Sequence, residues 1–203
     1  MAVIPCTVSV DRLCGLSRSG GRATTLDRKA LDRFLADVER RAYRMALVAT
    51  GDADEAMDLV QDAMFGLVQR YASRDQAEWG PLFHTILQSR IRDWYRRAKV
   101  RHRWRQWFGQ AQDEEQSDPL EAIADPAQPS SEDQLIVKRA GAALEQALRT
   151  LPLRQQQAFL LRAWEELSVS DTAKAMGCSE GSVKTHYFRA VRTLRTLLGD
   201  HWL

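Results

Sequence analysis

The chain reads as all-α, two small helical domains joined by a flexible acidic linker, with a helix-turn-helix in the second. Three observations predict this. Period-two runs of Val, Ile and Thr bounded by Gly are missing beyond the first few residues, whereas apolar residues at i, i+3, i+4 spacing recur throughout. Charge is segregated: Arg90 to Arg105 carries eight cations against Asp93 alone, and Asp113 to Asp133 carries only acids. The formal net charge of +2 therefore conceals two basic surfaces separated by an acidic stretch. Finally, Leu167 to Leu198 has the composition of two helices meeting at a tight turn.

Residues 1–26 have no helical period and are rich in Ser, Thr and Gly; they read as a disordered tail, or as the product of a start placed upstream of the native one. Met1 to Gly15 lacks a basic leader and is interrupted by Asp11 and Arg12, so a signal peptide is rejected. No apolar run is long enough for a membrane span. Cys6, Cys14 and Cys178 are odd in number and lack metal spacing, which argues for a reducing, cytosolic compartment and against a disulfide framework or zinc site.

Asp27 to Thr50 predicts a first helix with Leu31, Phe34, Leu35, Val38, Ala42, Met45 and Ala46 as its apolar stripe, closed by Gly51. Asp52 is placed to cap a second, Ala53 to about Ala72, burying Ala56, Leu59, Val60, Ala63, Leu67 and Tyr71. Its other face displays Asp58, Gln61 and Asp62, which taken alone reads as a solvated surface. A loop over Ser73 to Gly80 leads to Pro81 in the first turn of a third helix, Leu82 to about Arg103, which buries Phe83, Ile86, Leu87, Ile91 and Trp94. Tyr95, Arg96 and Arg97 leave that stripe. The second half of this helix interleaves Arg with Trp94, Tyr95, Trp104, Trp107 and Phe108, which suits stacking on unpaired bases along a phosphate backbone.

Gly109 to Ser130 holds Gln, acids, Ala and Pro119, Pro126 and Pro129, too little apolar surface to fold. At ~3.3 Å per residue it extends to roughly 70 Å; as a coil it spans on the order of 25 Å. The second domain opens at Ser131 with the stripe Leu135, Ala140, Leu144, Ala147, Leu148 and Leu151, breaks at Pro152, and continues as Arg154 to Glu166 around Phe159, Leu160 and Ala163. In the helix-turn-helix, Ser168 caps the first helix with Asp171 three residues on, and Gly177 ends it. The second helix, beginning around Glu180 to Ser182, buries Val183, Tyr187, Ala190 or Val191, Leu194 and Leu198. Lys184, Thr185, Arg189 and Arg192 face outward with no acid between Lys184 and Leu198, as a helix lying in a major groove requires.

Four segments in this order and spacing carry a resemblance: Asp58-Leu59-Val60-Gln61-Asp62, Trp79 to Arg97, Leu151-Pro152 with Arg154 to Phe159, and Leu167 to Arg192. The chain resembles the RNA polymerase sigma factors of the sigma-70 family, and most closely the extracytoplasmic-function (ECF) group. The resemblance implies region 2 over 27–104, a linker over 105–130 and region 4 over 131–203. It implies that Asp58, Gln61 and Asp62 bind core RNA polymerase. Trp79, Arg90, Arg92, Tyr95, Arg96 and Arg97 are implied in recognition and melting of the -10 element, and Lys184, Thr185, Phe188 and Arg189 in reading the -35 element. The implied partners are core RNA polymerase, promoter DNA and an anti-sigma factor, with no cofactor, metal or catalytic residue. Two departures stand out: His186 where the family often has Arg, and Gln88-Ser89 where an Arg-Asn pair is common. A plain helix-turn-helix regulator on duplex DNA accounts for the C-terminal half alone. An enzyme is disfavoured by four scattered histidines (His84, His102, His186, His201) and the lack of a Gly-rich phosphate loop.

Overall fold

The computed structural model describes the backbone of residues 28–107 and 131–199, with side chains at 28–100 and 140–199. The tail over 1–26, the linker sequence over 109–130 and the side chains of Trp104, Trp107, Phe108 and Leu135 lie outside the described residues. Every described element is helical: α1 (Arg28–Thr50), α2 (Ala53–Tyr71), α3 (Gln76–Trp107), α4 (Ser131–Thr150), α5 (Leu153–Phe159), a π-turn (Leu160–Trp164), α6 (Val169–Met176) and α7 (Glu180–Leu198).

The first three helices form a bundle. Leu31, Leu35, Val38, Ala42, Met45 and Ala46 of α1 meet Ala56, Leu59, Val60, Ala63 and Leu67 of α2, with Phe83, Leu87 and Ile91 of α3 closing the core. Gly51 turns the chain at φ +73°, where a Cβ would be strained, and its N–H reaches the Leu47 carbonyl at 2.8 Å. Asp52 Oδ1 then accepts from the N–H groups of Asp54 and Glu55, both at 2.9 Å, satisfying two orphan donors of α2.

The loop expected over Ser73 to Gly80 is shorter than predicted. Helix α3 begins at Gln76, and Asp75 Oδ1 accepts from the Ala77 N–H at 3.0 Å. Pro81 therefore sits inside the helix, where it removes the bond to the Ala77 carbonyl. Ala77 is exposed, so water can take that carbonyl. Burial of Trp79, two residues earlier, holds the segment helical against α1.

In the second half, α5 ends sooner than the Arg154–Glu166 helix expected, giving way to the π-turn. The extra residue per turn rotates the register, so Leu161 is buried and the predicted core residue Ala163 is exposed. Glu166 follows in a left-handed conformation, φ 52°, unusual for a residue with a Cβ. The helix-turn-helix forms as predicted. Ser168 Oγ accepts from the Asp171 N–H at 3.0 Å and donates to Asp171 Oδ2 at 2.7 Å. Gly177 takes φ 60°, and its N–H and that of Cys178 return to the Lys174 and Ala173 carbonyls. Ser179 supplies a second cap, its Oγ accepting from the Ser182 N–H at 3.2 Å.

The halves, treated as tethered bodies in the sequence reading, pack on each other. Helix α3 lies against α6, and α1 touches α4.

Candidate nucleic-acid interface

Helix α7 presents its outer face as expected. Val183, Ala190, Leu194 and Leu198 are buried, which at 3.6 residues per turn directs Lys184, Thr185, Phe188, Arg189 and Arg192 to solvent. Phe188 is 67% exposed, an unusual position for a large apolar ring and one suited to a thymine methyl or a sugar edge. The Thr185 hydroxyl donates to the Gly181 carbonyl at 3.0 Å. Burial, then the cations Arg154 and Arg189, hold the His186 imidazole below its ordinary pKa, so it is neutral at pH 7 and adds no further cation to this face. Tyr187 turns inward and stacks on Phe159, ring centroids 6.2 Å apart, locking α7 to α5.

Helix α3 divides its predicted DNA residues among three settings. Tyr95, Arg96 and Arg97 are exposed near its C-terminal end, with Arg96 donating to Asp93. Arg90 is half-buried, its Nε 3.9 Å from Asp62 on α2, a loose surface pair of little energetic weight. Arg92 points the other way: its Nη1 donates to the Ala175 carbonyl at 2.8 Å, on the C-terminal turn of α6. Burial, followed by repulsion from Arg154, lowers the affinity of this guanidinium for its proton. Arg154 donates to the adjacent Met176 carbonyl, so the negative end of α6 receives a cation from each half of the molecule.

Trp79 is a correction. It is only 4% exposed, tilted on Phe34 with ring centroids 5.8 Å apart, and belongs to the core. The early helix start carries it onto the α1-facing stripe, so it offers no face to a base. Trp94, expected in the buried stripe, is half-buried and packs at the core's edge.

The face of α2 opposite its core carries Asp58 and Asp62 exposed and Gln61 half-buried, with Phe65 one turn on and 40% exposed. Asp62 of this face lies against Arg90 of α3.

Comparison with known proteins matches the two halves to two descriptions: Sigma-70 region 2 over residues 30–101 and Sigma-70, region 4, over residues 141–194. An RNA polymerase sigma-E factor of Streptomyces avermitilis is 32% identical over 145 residues, 71% of this chain and 71% of that protein. The chain belongs to the sigma-70 family, ECF group. The ECF RNA polymerase sigma factor BldN of Streptomyces coelicolor is 31% identical over 184 residues, 88% of this chain. This chain spans 64% of the length of BldN. The solved structure of the sigma factor RpoE of Bartonella quintana, in complex with the anti-sigma factor NepR, covers 82% of this chain and 96% of its own at 25% identity and TM-score 0.55. Sigma factors of this family are not enzymes, and among the described residues no group of His, Cys, Asp and Glu is arranged to hold a metal. No described helix is long and apolar enough to cross a membrane.

The residues that sequence reasoning missed, His84 and Gln88, lie on the inner side of α3, where with Arg92, expected at the -10 element, they recur at four-residue spacing within an otherwise apolar stripe. Polar residues at core-facing positions were the available signal.

Proposed function

We propose that this protein is a promoter-specificity subunit: it binds core RNA polymerase, recognises the -10 and -35 elements and helps to open the duplex. Residues 27–104 act as region 2, 105–130 as the connecting segment and 131–203 as region 4. Asp58, Gln61 and Asp62 on α2 dock a basic element of the polymerase. Arg90, Arg92, Tyr95, Arg96 and Arg97 engage the -10 element, where an exposed aromatic beside cations can stack on an extruded base and offset the few kcal/mol of unstacking. Lys184, Thr185, Phe188 and Arg189 read the -35 element in the major groove. The protein acts in the cytoplasm, and an anti-sigma factor is the expected inhibitory partner.

The observation that carries this reading is the acidic face of α2, with Asp58 and Asp62 both exposed. A simple duplex-binding regulator has no use for it, because carboxylates repel phosphate. The test is reconstitution with core polymerase on promoter DNA. Wild type should direct specific initiation and open the duplex, seen as permanganate reactivity of unpaired thymines. Tyr95→Ala with Arg96→Ala should bind core polymerase normally and lose that reactivity. Specific binding to DNA with no initiation by any core enzyme would return the protein to the regulator class.

A further inference from the structure

The side chains that α7 turns outward are not equally suited to all four bases. At ~100° per residue, Lys184, Phe188, Thr185 and Arg189 lie in that order across the exposed face, so two cations flank an apolar centre. Phe188, 67% exposed, is more exposed than any other large apolar side chain among the described residues. Thr185 gives its hydroxyl proton to the Gly181 carbonyl at 3.0 Å, so what it has left to offer a base is its γ-methyl. His186 is half-buried at the edge of the face. From Gly181 to Leu198 the helix has no Asn, Gln, Asp or Glu. Adenine is read by Asn or Gln and cytosine by a carboxylate, so neither finds its usual partner here. Gly181 stands in the first turn, where an added Cβ would meet only Ser179 Oγ, at 3.9 Å. The protein's own packing does not require glycine at that position; its effect is to let the start of α7 come close to a base edge.

We propose that Phe188 and Thr185 together read the 5-methyl groups of two neighbouring thymines, so that the -35 element of this protein holds adjacent A·T pairs at its centre. This rests on the reading of α7 as the -35 helix, and three arguments support it. First, an exposed ring hemmed in by cations needs an apolar partner that itself lies among phosphates. The thymine methyl is the one such group that base pairs show in the major groove. Second, the spacing fits. Helix positions three apart hold their Cβ atoms about 5–6 Å from each other, and base pairs rise ~3.4 Å, so the two side chains cover two successive pairs. Third, sugar edges line the rim of the groove, where Lys184 and Arg189 lie, whereas Phe188 and Thr185 hold the centre of the face. The flanking cations are then left for phosphate or guanine.

The probe is a duplex pool randomised over the promoter region, selected with the full-length protein on core RNA polymerase. One selection is amplified with dTTP and a parallel one with dUTP. The first should return two adjacent A·T pairs at the centre of the -35 element, and the second should lose that preference. On the selected duplex, uracil in place of each of those thymines removes only the methyl and should weaken binding about 4-fold per site, the worth of one buried methyl group. Phe188→Ala should bind the thymine and uracil duplexes alike. Thr185→Ser keeps the hydroxyl for Gly181 and should lose the effect of one thymine only. The uracil comparison uses the wild-type protein and stands whether or not a variant folds. A selected element without adjacent A·T pairs, equal wild-type affinity for thymine and uracil, or an undiminished uracil effect in both variants overturns the proposal. If it falls while Lys184→Ala with Arg189→Ala still weakens binding, α7 remains the -35 helix and only the thymine assignment is lost. If that double variant also binds as the wild type does, the reading of α7 falls with it.

Discussion

Replacing Lys184 and Arg189 together by Ala tests the docking face of α7 quantitatively. Both side chains are exposed, and no acid lies between Lys184 and Leu198 to screen them internally. If each neutralises one phosphate, its loss lowers the magnitude of the salt slope by ~0.9, so the double variant should lose ~1.8 from it. Between 50 and 200 mM salt, a fourfold change, the wild type should then lose about 12-fold more affinity than the variant. If instead one side chain reads a base edge, discrimination at one position should fall by ~1–3 kcal/mol while the slope drops by only ~0.9. Fluorescence anisotropy with a -35 duplex and a scrambled one, across that salt range, separates the cases. Folding should be spared, since exposed substitutions stay within ~0.5 kcal/mol. An internal control is available: Arg189 helps hold the His186 pKa down, so Arg189→Ala should raise its titration midpoint in proton NMR. An unchanged salt slope and unchanged discrimination in the double variant would refute this face as the one that meets DNA.

Three further outcomes are expected. Asp58→Lys with Asp62→Lys should abolish co-elution with core polymerase and leave the melting temperature nearly unchanged, because both carboxylates are exposed. Trp79→Ala should destabilise the first bundle by ~3–5 kcal/mol in denaturant titration, as core aromatics do, rather than act selectively on -10 binding. Ser168→Ala should cost ~1 kcal/mol of stability. The Ser168 hydroxyl, then Lys174, hold the Asp171 carboxyl below its ordinary value of 3.8. The stabilisation from Asp171 is therefore complete above that value and lost as pH falls through the lower folded midpoint, which the Ser168 variant should move upward in an NMR titration.

Most of the architecture was legible in the chain because it rests on local signals. Helices bounded by Asp52, Ser168 and Gly177 have both a period and a cap, and caps act within three or four residues. The outward residues of α7 follow from the buried set by helix geometry alone. The misplacements have a common cause in tertiary packing. Trp79 was placed at the -10 element by the resemblance alone, and the approach of α1, bringing Phe34 within contact, makes it core. Pro81 reads as a helix start unless burial beside it outweighs one lost hydrogen bond. The π-turn at Leu160–Trp164 leaves no periodic signature in five residues, yet it exchanges Ala163 for Leu161 in the core and brings Glu165 to His84.

The sequence by itself determined the helical class, the helix-turn-helix and the family, because periodicity, caps and motif spacing are properties of short segments. Tertiary structure alone decided which polar residues face inward. His84, Gln88 and Arg92 are one helical stripe in any reading, but their partners Glu165, Gln157 and the Ala175 carbonyl lie 69 to 83 residues away along the chain. No periodicity encodes a pairing at that separation; it is set by how the two halves pack.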